Sequence, residues 1–221
     1  RRTKNIISFG ANTTSDSNYK KINDCNFLFS ILGSKIILKK MNKFLHWEEN
    51  VLIILCILKI LKLKTQDFVK FIEKLKPLQG RGQLLKIALK KKSFILIDES
   101  YNSSPQSLKS AILNSKELVK KKKKLILVIG DMLELGINSK KMHLEILDVI
   151  KKVSPSMVIT IGKITKALNE NLPRKIKKYH YFSTQHVYER LIEEISDGDI
   201  VMIKGSNSIN LSKICDKLKK A

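Results

Sequence analysis

Several motifs by which enzymes are commonly recognised are missing from this sequence. It contains no GxxxxGK[ST] phosphate loop, no nucleophile elbow of the GxSxG type and no pair of metal ligands on one helix. The chain therefore carries neither a P-loop cradle for a triphosphate nor the serine of an α/β-hydrolase. A function has to be sought in less distinctive motifs.

The features of secreted and membrane-spanning chains are also missing. The cysteines, Cys25, Cys56 and Cys215, are odd in number and far apart, which argues against a disulfide framework and against a metal site. The most apolar stretch, residues 51–63, is shorter than the ~20 residues that span a bilayer and carries two lysines. With no signal peptide visible, we expect a cytoplasmic protein without a membrane span. Because the chain begins at Arg1 rather than Met, we also expect upstream sequence.

Acidic residues are few: 20 stand against 43 basic residues, for a formal net charge of +23. Such a charge raises the possibility of nucleic-acid binding. The basic residues are nearly all Lys and are spread along the chain, and Ile and Asn are abundant too, as an A/T-rich genome would produce. No zinc-finger spacing or aromatic RNA-binding signature is present. We therefore favour compositional drift over a nucleic-acid partner.

From Phe94 onward, apolar strands alternate with helical segments. The strands are continuous apolar runs, as expected when helices cover both faces of a sheet. This pattern predicts a Rossmann-like, doubly wound α/β domain with a mostly parallel sheet. The predicted strands are 94–98, 124–131, 156–162, 177–183 and 199–206, and the predicted helices are 105–120, 139–153, 165–171, 184–195 and one from the last strand to the C-terminus.

Residues 1–78 show a different pattern. Two β candidates, "NIISFGA" and "CNFLFSILGSKIILKK", precede a pair of predicted helices, 46–63 and 65–76. The stretch "KPLQGRGQ" then interrupts the periodicity with Pro77, Gly80 and Gly82, which indicates a hinge or linker. We therefore predict two domains, 1–78 and 79–221.

Polar motifs follow three of the predicted strands, at the edge where open α/β sheets bind ligands. "DESYNSSP", "GDMLELG" and "KGSNS" should thus line one edge of the same sheet. Each motif is ambiguous by itself. The acids of "DESYNSSP" could contact ribose hydroxyls or could belong to a solvated turn. Arg81 could contact phosphate or an adenine face, or could belong to a flexible linker. Lys204 could belong to an anion site or to a capped turn.

The set of motifs is more specific than its members. "GRGQ", "LIDESYNSSPQSLKSAI", "VIGDMLELG" followed by His143, and "DIVMIKGSNS", in this order and spacing, resembles the Mur ligases. The Tyr-Asn turn and the "GDMLELG" loop are most similar to the branch that adds D-alanyl-D-alanine to UDP-N-acetylmuramoyl-tripeptide. By this resemblance, residues 79–221 look like the family's C-terminal domain, and residues 1–78 look like the end of its central ATP-binding domain.

The resemblance implies an ATP-dependent amide ligase of peptidoglycan synthesis, on which cell-wall biogenesis, cell shape and cell division depend. The family uses ATP and Mg²⁺ to phosphorylate a peptide carboxylate, and an amine then attacks the acyl phosphate. UDP-N-acetylmuramoyl-tripeptide and D-alanyl-D-alanine are the implied substrates. Matched by position to the family, Asn50, Arg81 and Glu99 are the implied nucleotide contacts. The implied contacts near the incoming substrate are Asp98, Tyr101, Asn102, Lys204, Gly205 and Ser206. The expected structural supports of this site are Asp131, Glu134 and His143.

The sequence departs from the family in what it lacks. The phosphate loop, the N-terminal domain and the central-domain lysine and Mg²⁺ ligands are absent, so we assign no catalytic or metal-binding residue and expect the isolated chain to be inactive. Asn207 stands where Arg is common, and Ser104 where Asn is common. Because Arg81 and Glu99 are predicted to lie on loops, replacing either by Ala is expected to weaken ATP use with little loss of folding. The alternatives are a non-catalytic α/β binding fragment with a basic surface and another Mur-like ligase such as folylpolyglutamate synthase.

Overall fold

The computed structural model describes residues 6–40, 47–74, 76–89, 92–119 and 123–220, and the chain divides into two compact units, Arg1–Lys76 and Pro77–Ala221. The break falls in the "KPLQGRGQ" stretch. That the two parts correspond to two domains of the family stays a prediction. The elements are β1 (Phe9–Gly10), β2 (Ser17–Lys21), β3 (Asn26–Ile31), β4 (Ser34–Lys39), α1 (Trp47–Ile60), α2 (Thr65–Glu73), β5 (Gln83–Leu89), β6 (Lys92–Glu99), α3 (Pro105–Glu117), β7 (Leu125–Gly130), α4 (Ser139–Leu144), α5 (Ile146–Val153), β8 (Met157–Ile161), α6 (Thr165–Glu170), β9 (Lys177–Tyr181), α7 (Val187–Glu194), β10 (Ile200–Lys204) and α8 (Ser212–Lys220).

The first unit contains a four-stranded sheet in the order β1-β2-β3-β4. The second β candidate of the sequence divides into the antiparallel hairpin β3–β4, because Leu32 and Gly33 both adopt positive φ (44° and 81°) and form a tight turn. On α1, Trp47 is fully buried beside the rings of Phe27 and Phe29, at centroid distances of 5.8 and 5.9 Å. This aromatic cluster anchors the helix to the sheet.

The helices of the first unit end earlier than predicted. His46, the predicted start of the first helix, lies outside the described residues. Within them, α1 ends at Ile60 and α2 at Glu73. The apolar stretch within residues 51–63 is buried on one face of α1 only, since Ile57 is 50% exposed. No helix among the described residues is long and apolar enough to cross a membrane.

The second unit is the predicted doubly wound domain. Its six strands have the order β5-β6-β10-β7-β8-β9, and all neighbours except β5 and β6 are parallel. All five predicted strands are confirmed. The edge strand β5 was missed, because it follows the glycines of the supposed linker directly and its partly exposed residues do not form a continuous apolar run.

Helices cover both faces of this sheet, as predicted. The buried side chains of α7 and α8, including Leu191 and Cys215, pack with Leu96 and Val201 on one face. On the other face, α3 contacts β7 and β10 and packs beside α5. The helix predicted for 139–153 is divided at Glu145 into α4 and α5. Ser104 caps α3 through its Oγ, which accepts from the Ser107 N–H, with Pro105 in the first turn.

The strand order determines which motifs meet. β10 lies between β6 and β7, and in this register Lys204 is opposite Glu99 on one side and Ile129 on the other. The carboxyl ends of these three parallel strands therefore coincide. The expectation that "DESYNSSP", "GDMLELG" and "KGSNS" line one edge is confirmed.

Candidate functional site

The site is built on two turns that are joined through their backbones. The DESYN turn, residues 98–102, begins with the last two residues of β6, and the GRG turn, residues 80–82, precedes β5. The Gly82 N–H donates to the Asp98 carbonyl (2.9 Å), and the Tyr101 N–H donates to the Gly80 carbonyl (3.0 Å). Gly80 has φ +73°, and a Cβ there would lie 3.0 Å from the Tyr101 nitrogen, so the approach requires glycine. The supposed linker is thus an ordered turn held against the DESYN turn.

Arg81 and Tyr101 form the exposed surface of this pair of turns. The Arg81 guanidinium carbon lies 4.0 Å from the centre of the Tyr101 ring, and both residues are exposed. Stacking on the ring restricts the guanidinium while its planar fork of N–H groups remains available for a ligand. Such a fork suits a phosphate or the face of a purine, and the family-implied nucleotide contact of Arg81 therefore fits its geometry.

Glu99 does not lie on a loop, and this part of the sequence-based expectation was wrong. It is the last residue of β6 and only 6% exposed. Lys204, 3% exposed at the end of β10, donates from Nζ to Glu99 Oε2 (3.2 Å) and to the Asn102 carbonyl (2.9 Å). Burial lowers the pKa of Lys204, although the Glu99 carboxylate opposes that shift. The two predicted ligand contacts thus form a buried ion pair beneath the DESYN turn.

Asp98 holds the same turn from the opposite side. Its Oδ1 accepts from the Ser100 hydroxyl (2.6 Å) and N–H (3.2 Å), while Oδ2 accepts from Lys219 Nζ on α8 (2.7 Å). Burial alone would raise the pKa of Asp98, but the hydrogen bonds from Lys219 and Ser100 outweigh it and the pKa is lowered. The carboxylate is fully buried, and a direct contact with substrate stays a prediction.

The lowered pKa of Asp98 has a measurable consequence for stability. A carboxyl whose pKa is lower in the folded state stabilises the fold above its ordinary pKa of 3.8, and this contribution is lost as the pH falls through the lowered value. We therefore expect the difference in unfolding free energy between the unmodified protein and Asp98→Asn to be largest near neutral pH and to shrink below about pH 4. Urea unfolding of both proteins over this range checks it, and a difference that does not change with pH would contradict the ionised pair.

The remaining predicted substrate residues join the turn after β10 to its neighbours. A Cβ on Gly205 would lie 2.8 Å from Gly130 Cα, so the two strand ends approach too closely for a side chain. Ser206 is buried. Its Oγ accepts from the Leu133 N–H (2.8 Å) and its N–H donates to the Asp131 carbonyl (3.0 Å). These contacts fix the shape of the turn after β10, and binding of substrate by Gly205 and Ser206 stays a prediction.

Two of the three residues expected as structural supports, His143 and Asp131, hold neighbouring backbone groups through hydrogen bonds. His143 is fully buried on α4, where Nε2 accepts from the Met132 N–H (2.8 Å) and Nδ1 donates to the Ser139 carbonyl (2.7 Å). A backbone N–H can only donate and a carbonyl can only accept, so the proton of the ring is on Nδ1 and not on Nε2. Asp131 accepts from the Thr165 N–H (2.7 Å) and therefore holds the start of α6. Glu134 is exposed, with φ 64°.

Two predicted residues remain at the exposed surface. Asn102 belongs to the DESYN turn, where its Oδ1 accepts from the Ser103 N–H (2.8 Å). Asn50 occupies an exposed position of α1 in the other unit, and its contact with the adenine stays a prediction. The role of Lys219 has no signal in the sequence, because α8 carries several lysines and only the folded structure shows which of them reaches Asp98.

The residues differ in how well they fit the two cofactors implied by the family. The stacked Arg81 and the buried Glu99–Lys204 pair fit a nucleotide at the sheet edge. For Mg²⁺, the described part of the chain contains no group of three or more His, Cys, Asp or Glu residues able to hold a metal ion.

Comparisons with known proteins place this architecture in a family. Residues 80–207 match the model of the Mur ligase, glutamate ligase domain. The chain is 29% identical over 223 residues to UDP-N-acetylmuramoyl-tripeptide--D-alanyl-D-alanine ligase of Rickettsia prowazekii, covering 96% of this chain and 47% of that protein. It is 31% identical over 144 residues to the enzyme of the same name from Bacillus subtilis, covering 64% of this chain and 31% of that protein. The matched part of this chain thus spans about half the length of the Rickettsia prowazekii protein and about a third of the Bacillus subtilis protein.

Solved structures agree in fold. The MurF ligase of Thermotoga maritima, determined in complex with ADP, superposes with a TM-score of 0.74 at 21% identity, over 97% of this chain and 48% of that one. A MurF structure from Acinetobacter baumannii gives a TM-score of 0.75 at 20% identity, over 97% and 47%. At these identities the likeness establishes the fold, while the sequence match over more than half of the chain establishes the family. This chain belongs to the Mur ligase family and contains its glutamate ligase domain.

Proposed function

We propose that this chain is the C-terminal part of a ligase that uses ATP to join D-alanyl-D-alanine to UDP-N-acetylmuramoyl-tripeptide. The observation that carries the proposal is the Arg81–Tyr101 stack, exposed above the buried Glu99–Lys204 pair at the carboxyl edge of the sheet. The relatives from Rickettsia prowazekii and Bacillus subtilis bear the name of this activity, and the Thermotoga maritima relative binds ADP.

In this proposal the residues of the chain bind and orient the nucleotide. ATP supplies the phosphoryl group that activates a carboxylate, and the accompanying Mg²⁺ is held by ligands outside the described residues. Arg81 offers its guanidinium fork to the phosphates or the purine. Lys204 neutralises Glu99, so that the edge near the anionic nucleotide carries no uncompensated carboxylate from that residue. Asn102 and the Gly205–Ser206 loop lie next to this pair and suit contacts with the incoming dipeptide.

The matched relative from Rickettsia prowazekii is about twice as long as this chain. We accordingly propose that the activity belongs to a longer protein or to an assembly that includes the missing half. We also propose a cytoplasmic location. The free cysteines Cys25, Cys56 and Cys215 support it, because thiols persist in a reducing compartment.

The replacement Arg81→Ala in the ligase that contains this sequence tests the proposal. We expect the KM for ATP to rise by about tenfold or more, because a charge-assisted contact worth ~1.5–3 kcal/mol is removed. Folding should be retained, since Arg81 is exposed on its turn. The measurement is the steady-state rate of UDP-linked pentapeptide formation as a function of ATP concentration.

Arg174→Ala is the matched control. Arg174 is also exposed, but it precedes β9 and therefore lies toward the opposite edge of the parallel sheet. We expect its ATP kinetics to be unchanged. Equal ATP kinetics for Arg81→Ala and the unmodified enzyme would refute the nucleotide site. Activity with a folate acceptor, or salt-sensitive binding to nucleic acid without ligation, would favour one of the two alternatives instead.

A further inference from the structure

We propose that Lys219, in the last turn of α8, is a positioning residue for the nucleotide site: through Asp98 it holds the DESYN turn, and with it Arg81, in the binding arrangement. Lys219 lies beyond residues 80–207, the part that matches the family model. The inference rests on the proposed function, because it assigns Lys219 to the same ATP site. It adds a residue that touches neither the nucleotide nor the incoming substrate in that scheme.

The first step is the anchoring of Asp98. One carboxylate oxygen accepts from Lys219 Nζ (2.7 Å), and the other accepts from the hydroxyl and the N–H of Ser100 (2.6 and 3.2 Å). The Asp98 side chain is 1% exposed, so its charge cannot be compensated by water. Lys219 is therefore the cation that allows an ionised Asp98 to remain under the turn and hold Ser100.

The second step connects Asp98 with the exposed surface of the site. The Asp98 carbonyl accepts the Gly82 N–H, and the Gly80 carbonyl accepts the Tyr101 N–H. Arg81 lies between those two glycines and stacks on Tyr101 at 4.0 Å. A shift of Asp98 would thus move both partners of the stack, because the residues that join them are backbone groups of the same two turns.

The third step is the support of Lys219 itself. Leu218 and Cys215 are fully buried in the core against the sheet, which fixes the rotation of α8. That rotation leaves the Lys219 side chain 23% exposed, with its ammonium on the Asp98 carboxylate. The contact with Asp216 on the same helix is longer (3.8 Å). The Lys219 side chain therefore joins the C-terminal helix to a turn 121 residues away in sequence.

The test uses Lys219→Met in the ligase that contains this sequence. We expect faster amide hydrogen exchange at Gly82, Ser100 and Tyr101 with unchanged exchange in β7 and β8. We also expect the KM for ATP to rise about tenfold while kcat changes less than about twofold, since a misplaced contact group lowers binding. Lys219→Arg, which keeps a cation within reach of Asp98, should restore both. If Lys219→Met does not fold, Lys219→Gln is the second variant to measure.

Lys220→Met is the matched control, because it removes the same charge from the exposed neighbouring position of the same helix turn. It should leave exchange and ATP kinetics unchanged. An unchanged KM for ATP in Lys219→Met, with Arg81→Ala still defective, would overturn the positioning role and leave the proposed function intact. An equal effect in Lys220→Met, or no rescue by Arg, would also overturn it. Unchanged ATP kinetics in both Lys219→Met and Arg81→Ala would overturn the inference together with the proposed function.

Discussion

The replacement Lys204→Met is expected to lower the free energy of unfolding of the second unit by about 3–5 kcal/mol, because it removes one partner of a buried ion pair. Lys204 and Glu99 are 3% and 6% exposed, and the ammonium nitrogen lies 3.2 Å from Glu99 Oε2. In the variant, the Glu99 carboxylate would stay buried without this cation. The measurement is the urea midpoint of the unit, followed by amide signals of its strands.

A double-mutant cycle separates the ion pair from simple loss of packing. Glu99→Gln should also destabilise the unit, since it leaves the Lys204 ammonium buried beside a neutral amide. Glu99→Gln combined with Lys204→Met should recover much of the loss, because a buried pair replaced as a whole costs far less than a pair that is broken. Additive losses in the double variant would show that the two charges do not depend on each other.

The second large effect is expected for Gly162→Ala. Gly162 has φ +119°, and a Cβ there would lie 2.3–2.5 Å from the carboxylate atoms of Asp131. Alanine would therefore strain the backbone. It would also displace the Asp131 carboxylate, which accepts hydrogen bonds from the N–H groups of Ile164 and Thr165. Adding ~1–3 kcal/mol of strain to ~1–3 kcal/mol for unsatisfied buried donors gives a loss of about 2–6 kcal/mol.

Gly136→Ala provides the control for this prediction. Gly136 also has positive φ (+59°), but no atom lies within 4 Å of an added Cβ. Its expected cost is only about 1 kcal/mol, because the left-handed backbone alone is penalised. The comparison of the two urea midpoints isolates the clash with Asp131. Equal losses would mean that the carboxylate moves aside at little cost.

The strands of the second unit differ in how clearly the sequence indicates them. Four of the five predicted strands of the second unit, β6, β7, β8 and β10, could be recognised from the sequence because each contains a continuous apolar run. The far-edge strand β9, with the sequence KKYHY, lacks such a run. The edge strand β5 was not recognised, because its residues are only partly buried and it directly follows the glycines of the supposed linker. The cap at Ser104 and Pro105 was readable because it depends on neighbouring residues only.

The sequence by itself determined the doubly wound architecture, the family and the edge at which the polar motifs meet. Apolar periodicity and motif order are local properties that need no knowledge of long-range contacts. Only the tertiary structure decided that Glu99 is buried against Lys204, and that Lys219 rather than a neighbouring lysine reaches Asp98. Both pairings join residues more than 100 positions apart, and they depend on strand order and on the rotation of α8 about its axis. Burial then gives the carboxylates of Asp98 and Glu99 a structural role, because a carboxylate removed from water needs a cation of the protein, whereas an exposed one would be available to a ligand.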